Sequence, residues 1–258
     1  MTAETLLASY WLVAIALNSF LIAIAFALPK KLLTPAGYLH AWILGVLVWG
    51  CLGWRGYAIV MFYFLVGSGV TKIGMKQKEA EGIAEKRGGM RGPENVWGSA
   101  LVGTLCAIAF AVSGNAGSMA SANAIGQLCL LGYAASFATK LSDTTASEVG
   151  KAYGKRTFLI TTLQPVPRGT EGAVSLEGTL AGVVGSLAIA AVAVAVGAID
   201  GVGVLWCAIA AFVATNAESV IGATVQEQFD WLTNEVVNGI NTAIGAVVAI
   251  GLGWLLSS

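Results

Sequence analysis

The stretch Lys140–Gly182, KLSDTTASEVGKAYGKRTFLITTLQPVPRGTEGAVSLEGTLAG, decides how this chain is read. It is dense in charged, hydroxylated and glycine residues, yet long apolar segments flank it on both sides, so it belongs where a membrane protein meets water. Asp143 and Glu148 carry the hard oxygen donors that a divalent cation takes. Lys151, Lys155, Arg156 and Arg168 suit phosphate, and Gly169, Gly172 and Gly178 let backbone N–H groups come close to a ligand. This chemistry points to a phosphate-handling membrane enzyme.

Composition sets the class. Of 258 residues 57% are hydrophobic and 11% charged, with a mean hydropathy of +0.78, whereas a soluble domain carries roughly a quarter charged residues. The expected fold is an all-α, polytopic membrane helix bundle forming a single integral membrane domain over 1–258, with the catalytic region at about 70–246. Fourteen basic and fourteen acidic residues cancel, so nothing in the net charge points to nucleic acid, and no nucleic-acid partner is expected. Cys51, Cys106, Cys129 and Cys207 lie singly in separate apolar runs, without zinc-site spacing, and read as small buried hydrophobes. The first apolar run has no basic segment before it and no cleavage site, so it is expected to be a retained helix.

A span takes about 20 mostly apolar residues, which yields eight segments: about 5–28, 36–52, 54–72, 95–113, 122–140, 178–198, 202–225 and 236–256. The second and third are separated only by Gly53-Trp54-Arg55-Gly56 and are compatible with a re-entrant hairpin. With the N-terminus outside, thirteen of the fourteen basic residues fall inside, all but Arg55, so the positive-inside rule selects that orientation and a cytoplasmic active face. Twelve of the fourteen acidic residues share that side.

Three inner segments therefore make the candidate site. In the first, 72–95, a helix is expected over about 75–86, and Arg87 and Arg91 place two guanidinium groups around flexible glycine backbone in a composition suited to a polyphosphate. A plain solvated helix is the alternative.

In the second, a fifth helix continuing through Lys151 puts Asp143, Ser147 and Lys151 on one face, with Thr144 and Glu148 beside them. Asp143 and Glu148 are then about 140° apart, so they can share one ion only from a cleft or through water. Asp143 can equally be a cap or an ion-pair partner of Lys140. Pro165 and Pro167 stiffen the approach to Arg168-Gly169-Thr170-Glu171-Gly172, an anion seat or an ordinary turn, and Ser175 is placed to cap the sixth span.

In the third, Asn216, Glu218 and Ser219 interrupt an apolar helix, and Asn234, Asn238 and Asn241 stripe the next. A carboxylate inside a span is costly unless it faces a cavity or a partner, so Glu218 is a functional candidate, while the Asn stripe also suits interhelical bonding. His40 is the sole histidine and is expected on the opposite face, which leaves general-base work to a carboxylate.

The strings SDTTASEVG (142–150), PRGTEGAVSLEGTLAG (167–182), NAESVIGATVQ (216–226) and NEVVNGINTAIGA (234–246) resemble the integral membrane family that includes phytyl-phosphate kinase of tocopherol and phylloquinone salvage. The likeness runs from about Val70 to the C-terminus and extends distantly to CTP-using polyprenol kinases and cytidylyltransferases. It implies phosphoryl transfer from a nucleoside triphosphate, CTP above all, to a membrane-held isoprenoid monophosphate, with Mg²⁺ as cofactor. In that family an Asp-Ser pair stands where this chain has Glu218-Ser219.

Joined to the residue reading, the resemblance implies that Asp143, with Glu148 or Glu218, holds Mg²⁺. Lys140, Lys151, Arg156 and Arg168, helped by Lys72, Arg87 and Arg91, would then clamp phosphates. Ser142, Thr144, Ser147, Gly169, Thr170, Gly172, Asn216, Ser219, Asn234 and Asn238 would complete the phosphate-binding surface. Two other readings stay open, a membrane cytidylyltransferase acting on a lipid phosphate and a transporter with a midplane Glu/Asn site.

Overall fold

A computed structural model describes residues 3–115 and 119–256, leaving aside the side chains of 3–9, 86, 87, 120 and 227. The chain runs α1 (Ala3–Ala27), α2 (Pro35–Val70), α3 (Met75–Ala80), α4 (Pro93–Phe110), α5 (Ala124–Tyr153), β1 (Thr157–Leu159), β2 (Ala173–Ser175), α6 (Leu176–Ala195), α7 (Gly201–Thr224) and α8 (Asn234–Leu256). Among the described residues six helices are long and apolar enough to cross a membrane, namely α1, α2, α4, α6, α7 and α8. The protein is a polytopic helical membrane protein.

α2 accounts for two of the expected segments. Gly53 sits at φ +63° and ψ −160°, outside helical geometry, and breaks the 36-residue run into two arms. The arms fold back on each other. Arg91 meets both ends of the hairpin, since Thr34 N–H donates to its carbonyl (3.0 Å) while its guanidinium donates to the Tyr63 hydroxyl (2.8 Å). α1 lies antiparallel to the first arm, where Trp42 Nε1 donates to Ser19 (3.1 Å) and Tyr38 to the Ala25 carbonyl (3.2 Å).

α5 is the axis of the bundle and packs on α2, α4, α6, α7 and α8. Every residue from Leu130 to Ser142 is buried, which is why Ser136, Thr139 and Lys140 are tolerated in this helix. Tyr133, Phe137 and Tyr63 stack on one another, with ring centroids 5.1 and 5.4 Å apart, and Tyr133 donates to the Gly56 carbonyl (2.7 Å). On the other flank α6 lays Gly178, Gly182 and Gly185 against α5. A Cβ at Gly178 would come within 2.6 Å of the Ala146 carbonyl, and one at Gly185 within 2.5 Å of the Thr145 hydroxyl.

The expectation that α5 continues past Lys140 is met, since it ends only at Tyr153. The helix expected over about 75–86 is shorter. α3 stops at Ala80, and Gly82 at φ +72° turns the chain out of helical register. Between α5 and α6 the strands β1 and β2 form a small antiparallel hairpin, with Thr157 opposite Ser175 and Leu159 opposite Ala173. Ser175 caps α6 as expected, accepting from Gly178 N–H (3.1 Å).

Candidate active site

At the end of the bundle that holds the charged loops, a cavity of about 900 Å³ opens, and all three inner segments contribute to its wall. From the first come Glu85 and Arg91, and from the second Lys140, Ser142, Asp143, Thr144, Ser147, Glu148, Lys151, Gly169, Thr170 and Gly172. The third supplies Asn216, Glu218, Ser219, Asn234 and Asn238. Residues as far apart in sequence as Glu85 and Asn238 thus lie on one surface.

The centre is a knot of opposite charges between α5, α7 and α8. Lys140 Nζ donates to Asp143 (2.5 Å) and to the Asn238 side-chain carbonyl (2.6 Å). Asp143 lies within electrostatic reach of the Glu218 carboxyl, which accepts a hydrogen bond from Asn241. Lys140 is thus the ammonium set among two acidic side chains and an amide. The Asn241 Oδ1 and the Thr139 hydroxyl nearby have no partner among the described residues.

Asp143 and Glu218 are the two carboxyl groups here that could hold a Mg²⁺ ion, which takes one or two protein carboxylates and fills its remaining positions with water and substrate phosphate. Among the described residues no three of His, Cys, Asp and Glu are grouped to enclose a metal alone. Glu148 does not join the pair. It turns away to bond Lys78, a contact in which both side chains are sealed from solvent (0% and 2% exposed), and Lys78 also donates to the Thr71 carbonyl (2.9 Å). The cause is the rotation along α5, which puts Glu148 on the face covered by α3. Burial pushes the Glu148 carboxyl above its ordinary range, against the pull of Lys78 and Lys151.

Other expected cations separate into wall and exterior. Arg91 is in the wall, its guanidinium over the Tyr63 ring (5.3 Å to the centroid). Lys151 lies at the rim, 4.0 Å from Glu85. Lys72 and Arg156 are exposed and do not line the cavity. Arg168 is also outside the wall, donating instead to Glu81 (2.6 Å) and the Ala152 carbonyl (3.3 Å), so it ties the loop after β1 to the loop after α3. The Arg87 side chain lies outside the described residues.

The Asn stripe bonds between elements, as one of its two readings expects, and Asn234 and Asn238 also face the cavity. Asn234 accepts from Gln226, Asn238 from Lys140, and Asn241 donates to Glu218. His40 corrects an expectation. It sits near the charged end, where the second arm of the hairpin returns, and its Nδ1 accepts from Trp97 Nε1 (2.8 Å), away from the cavity wall. Lys78, Tyr63 and the Asn95–Glu235 contact (3.2 Å) between α4 and α8 were not legible beforehand, since no periodicity marks them.

Residues 18–246 match the family described as integral membrane protein DUF92. The chain belongs to that family. It is 64% identical over 95% of its length to an uncharacterised membrane protein of Synechocystis, sll0875, of which it covers 92%. It is 45% identical over 93% of its length to the chloroplastic protein VTE6 of Arabidopsis thaliana, covering 71% of that protein. A membrane protein of Methanocaldococcus jannaschii, MJ0933, is 29% identical, with 86% of each chain aligned. No solved structure matches. This is the integral membrane family whose likeness is carried by the blocks at 142–150, 167–182, 216–226 and 234–246.

Proposed function

We propose that this protein is a membrane-embedded kinase that moves a phosphoryl group from a nucleoside triphosphate, CTP above all, to an isoprenoid monophosphate such as phytyl phosphate. The observation that carries the reading is the half-buried cluster of Lys140, Asp143 and Glu218 at the floor of a cavity whose wall also holds Arg91 and Lys151. The relationship to VTE6 and the four sequence blocks support the same substrate class.

In the reaction an oxygen of the lipid phosphate bonds to the γ-phosphorus, the bond from that phosphorus to the β–γ bridging oxygen breaks, and the nucleoside diphosphate leaves with the electron pair. The acceptor is already anionic, so no strong general base is needed, and the work of the protein is alignment and charge neutralisation. Mg²⁺, held by Asp143 and Glu218, would supply charge to the triphosphate. Lys140 offsets the charge of Asp143, and Asn238 holds its ammonium in place. Lys151 and Arg91 face the lumen as phosphate partners, and Gly169, Thr170 and Gly172 present loop backbone to it. The positive-inside rule puts this end of the bundle on the cytoplasmic side.

The test is purified protein in detergent with phytyl monophosphate and CTP labelled at either the α- or the γ-phosphate. A γ-label entering lipid supports the kinase, whereas an α-label with pyrophosphate release identifies a cytidylyltransferase. Nucleotide-free counterflow in proteoliposomes would favour a transporter. Asp143→Asn is expected to abolish transfer while the protein still inserts, and near-normal turnover in that variant would remove Asp143 from the metal role.

A further inference from the structure

The cavity does not end at its charged floor. Its wall continues along α6 through Thr179, Val183 and Ser186 and along α7 through Thr215, Phe212 and Ala208. Ala208 precedes Glu218 by ten residues, which on a helix is about 15 Å, or half the depth of a bilayer core of about 30 Å. The slot is also open sideways, because Val183 and Phe212 line it and yet remain 36% and 51% exposed on the outer surface of the bundle. α6 turns its glycine face to α5, while Val183, next to Gly182, stays partly exposed at the slot.

Its chemistry is that of a hydrocarbon sleeve. Beyond the two threonines the lining is apolar except for Ser186, whose hydroxyl is satisfied by donating to the Val183 carbonyl (2.9 Å). A polar solute would find nothing to bond at that depth, whereas an apolar tail ending in an anion would lie with its headgroup at Lys140 and Lys151.

We propose that the slot between α6 and α7 is the lateral entrance and binding site for the tail of the lipid acceptor, and that Ala208 at its deep end sets the chain length accepted. This rests on the kinase reading for the identity of the headgroup. Ala208→Phe shortens the sleeve, so kcat/KM for phytyl monophosphate relative to dimethylallyl monophosphate is expected to fall by about tenfold or more. Val213→Phe, about 140° around α7 from Ala208 and exposed, is the control in which that ratio holds. An unchanged ratio in Ala208→Phe overturns the assignment.

A readout independent of turnover is photolabelling of the full-length protein in detergent with an isoprenoid monophosphate carrying a diazirine in its tail, mapped by mass spectrometry. Label on α6 and α7 around 183–186 and 208–212 supports the slot. Label instead in the open apolar hollow lined by Ser19, Phe26 and Trp42 overturns it. Should the wild-type protein phosphorylate neither lipid, the kinase reading falls and the photolabel alone decides the slot.

Discussion

Lys78 and Glu148 meet in a sealed ion pair that joins α3 to α5 across 70 residues of sequence. Through it the loop carrying Glu85 and Arg91 is held over the cavity. Breaking a buried pair from one side leaves an uncompensated charge and costs about 3–5 kcal/mol, so Lys78→Met or Glu148→Leu should lower the melting temperature in detergent sharply. The double variant should recover much of the loss. Singles as stable as the wild type would mean that the contact does not hold the loop.

Under the kinase reading Asp143 and Glu218 hold one cation, so they should fail in the same way. Glu218→Gln keeps the shape and the Asn241 contact while removing charge, and is expected to lower turnover by about a hundredfold with a raised Mg²⁺ requirement. A Mg²⁺ titration that superimposes on the wild-type curve would exclude Glu218 as a ligand.

Gly172 lies at φ +72°, and a Cβ there would stand 2.5 Å from both the Ala223 Cβ and the Ser219 carbonyl oxygen. Gly172→Ala should therefore lift the loop off α7, with a stability loss of about 1–3 kcal/mol and a larger loss of nucleotide affinity. Unfolding and equilibrium nucleotide binding measured on the same sample separate the two. Unchanged binding would show that loop and helix need not touch.

Ser175 satisfies the first turn of α6 through Gly178 N–H, so Ser175→Ala should cost about 1 kcal/mol without blocking membrane insertion. Thermal unfolding gives the value, and a change of under a few tenths would mean that another group caps the helix.

Arg168 and Glu81 form a partly exposed pair, with side chains 29% and 35% accessible, for which solvent screening leaves less than about 1 kcal/mol. If Arg168 swings inward to meet phosphate, Glu81→Ala frees it and preserves activity, while Arg168→Ala raises the KM for nucleotide. Equal effects of the two substitutions on KM would assign Arg168 to the loop contact alone.

Much of the site could be seen before folding because a membrane makes charge placement informative. Lys140, Asp143 and Glu218 stood out as ionisable groups at the ends of apolar runs, where water or a partner must compensate them. Lys72 and Arg156 stood out in the same way but are solvated, because near a charged loop the cost that singles out a lysine inside a span vanishes. Lys78 escaped notice for the opposite reason. It sits in a short polar segment of unremarkable composition, and only the packing of α3 on α5 buries it.

By itself the sequence determined a greasy helical bundle with its charges at one end, since hydrocarbon length and the solvation of charge are properties of segments. Ser175 and the break at Gly53 were legible for the same local reason. Tertiary structure alone decided that Asp143 would face Glu218 while Glu148 turned to Lys78, and that a slot would open between α6 and α7. Those outcomes depend on how each helix rotates about its axis, and rotation is set by which small residues let neighbouring backbones touch.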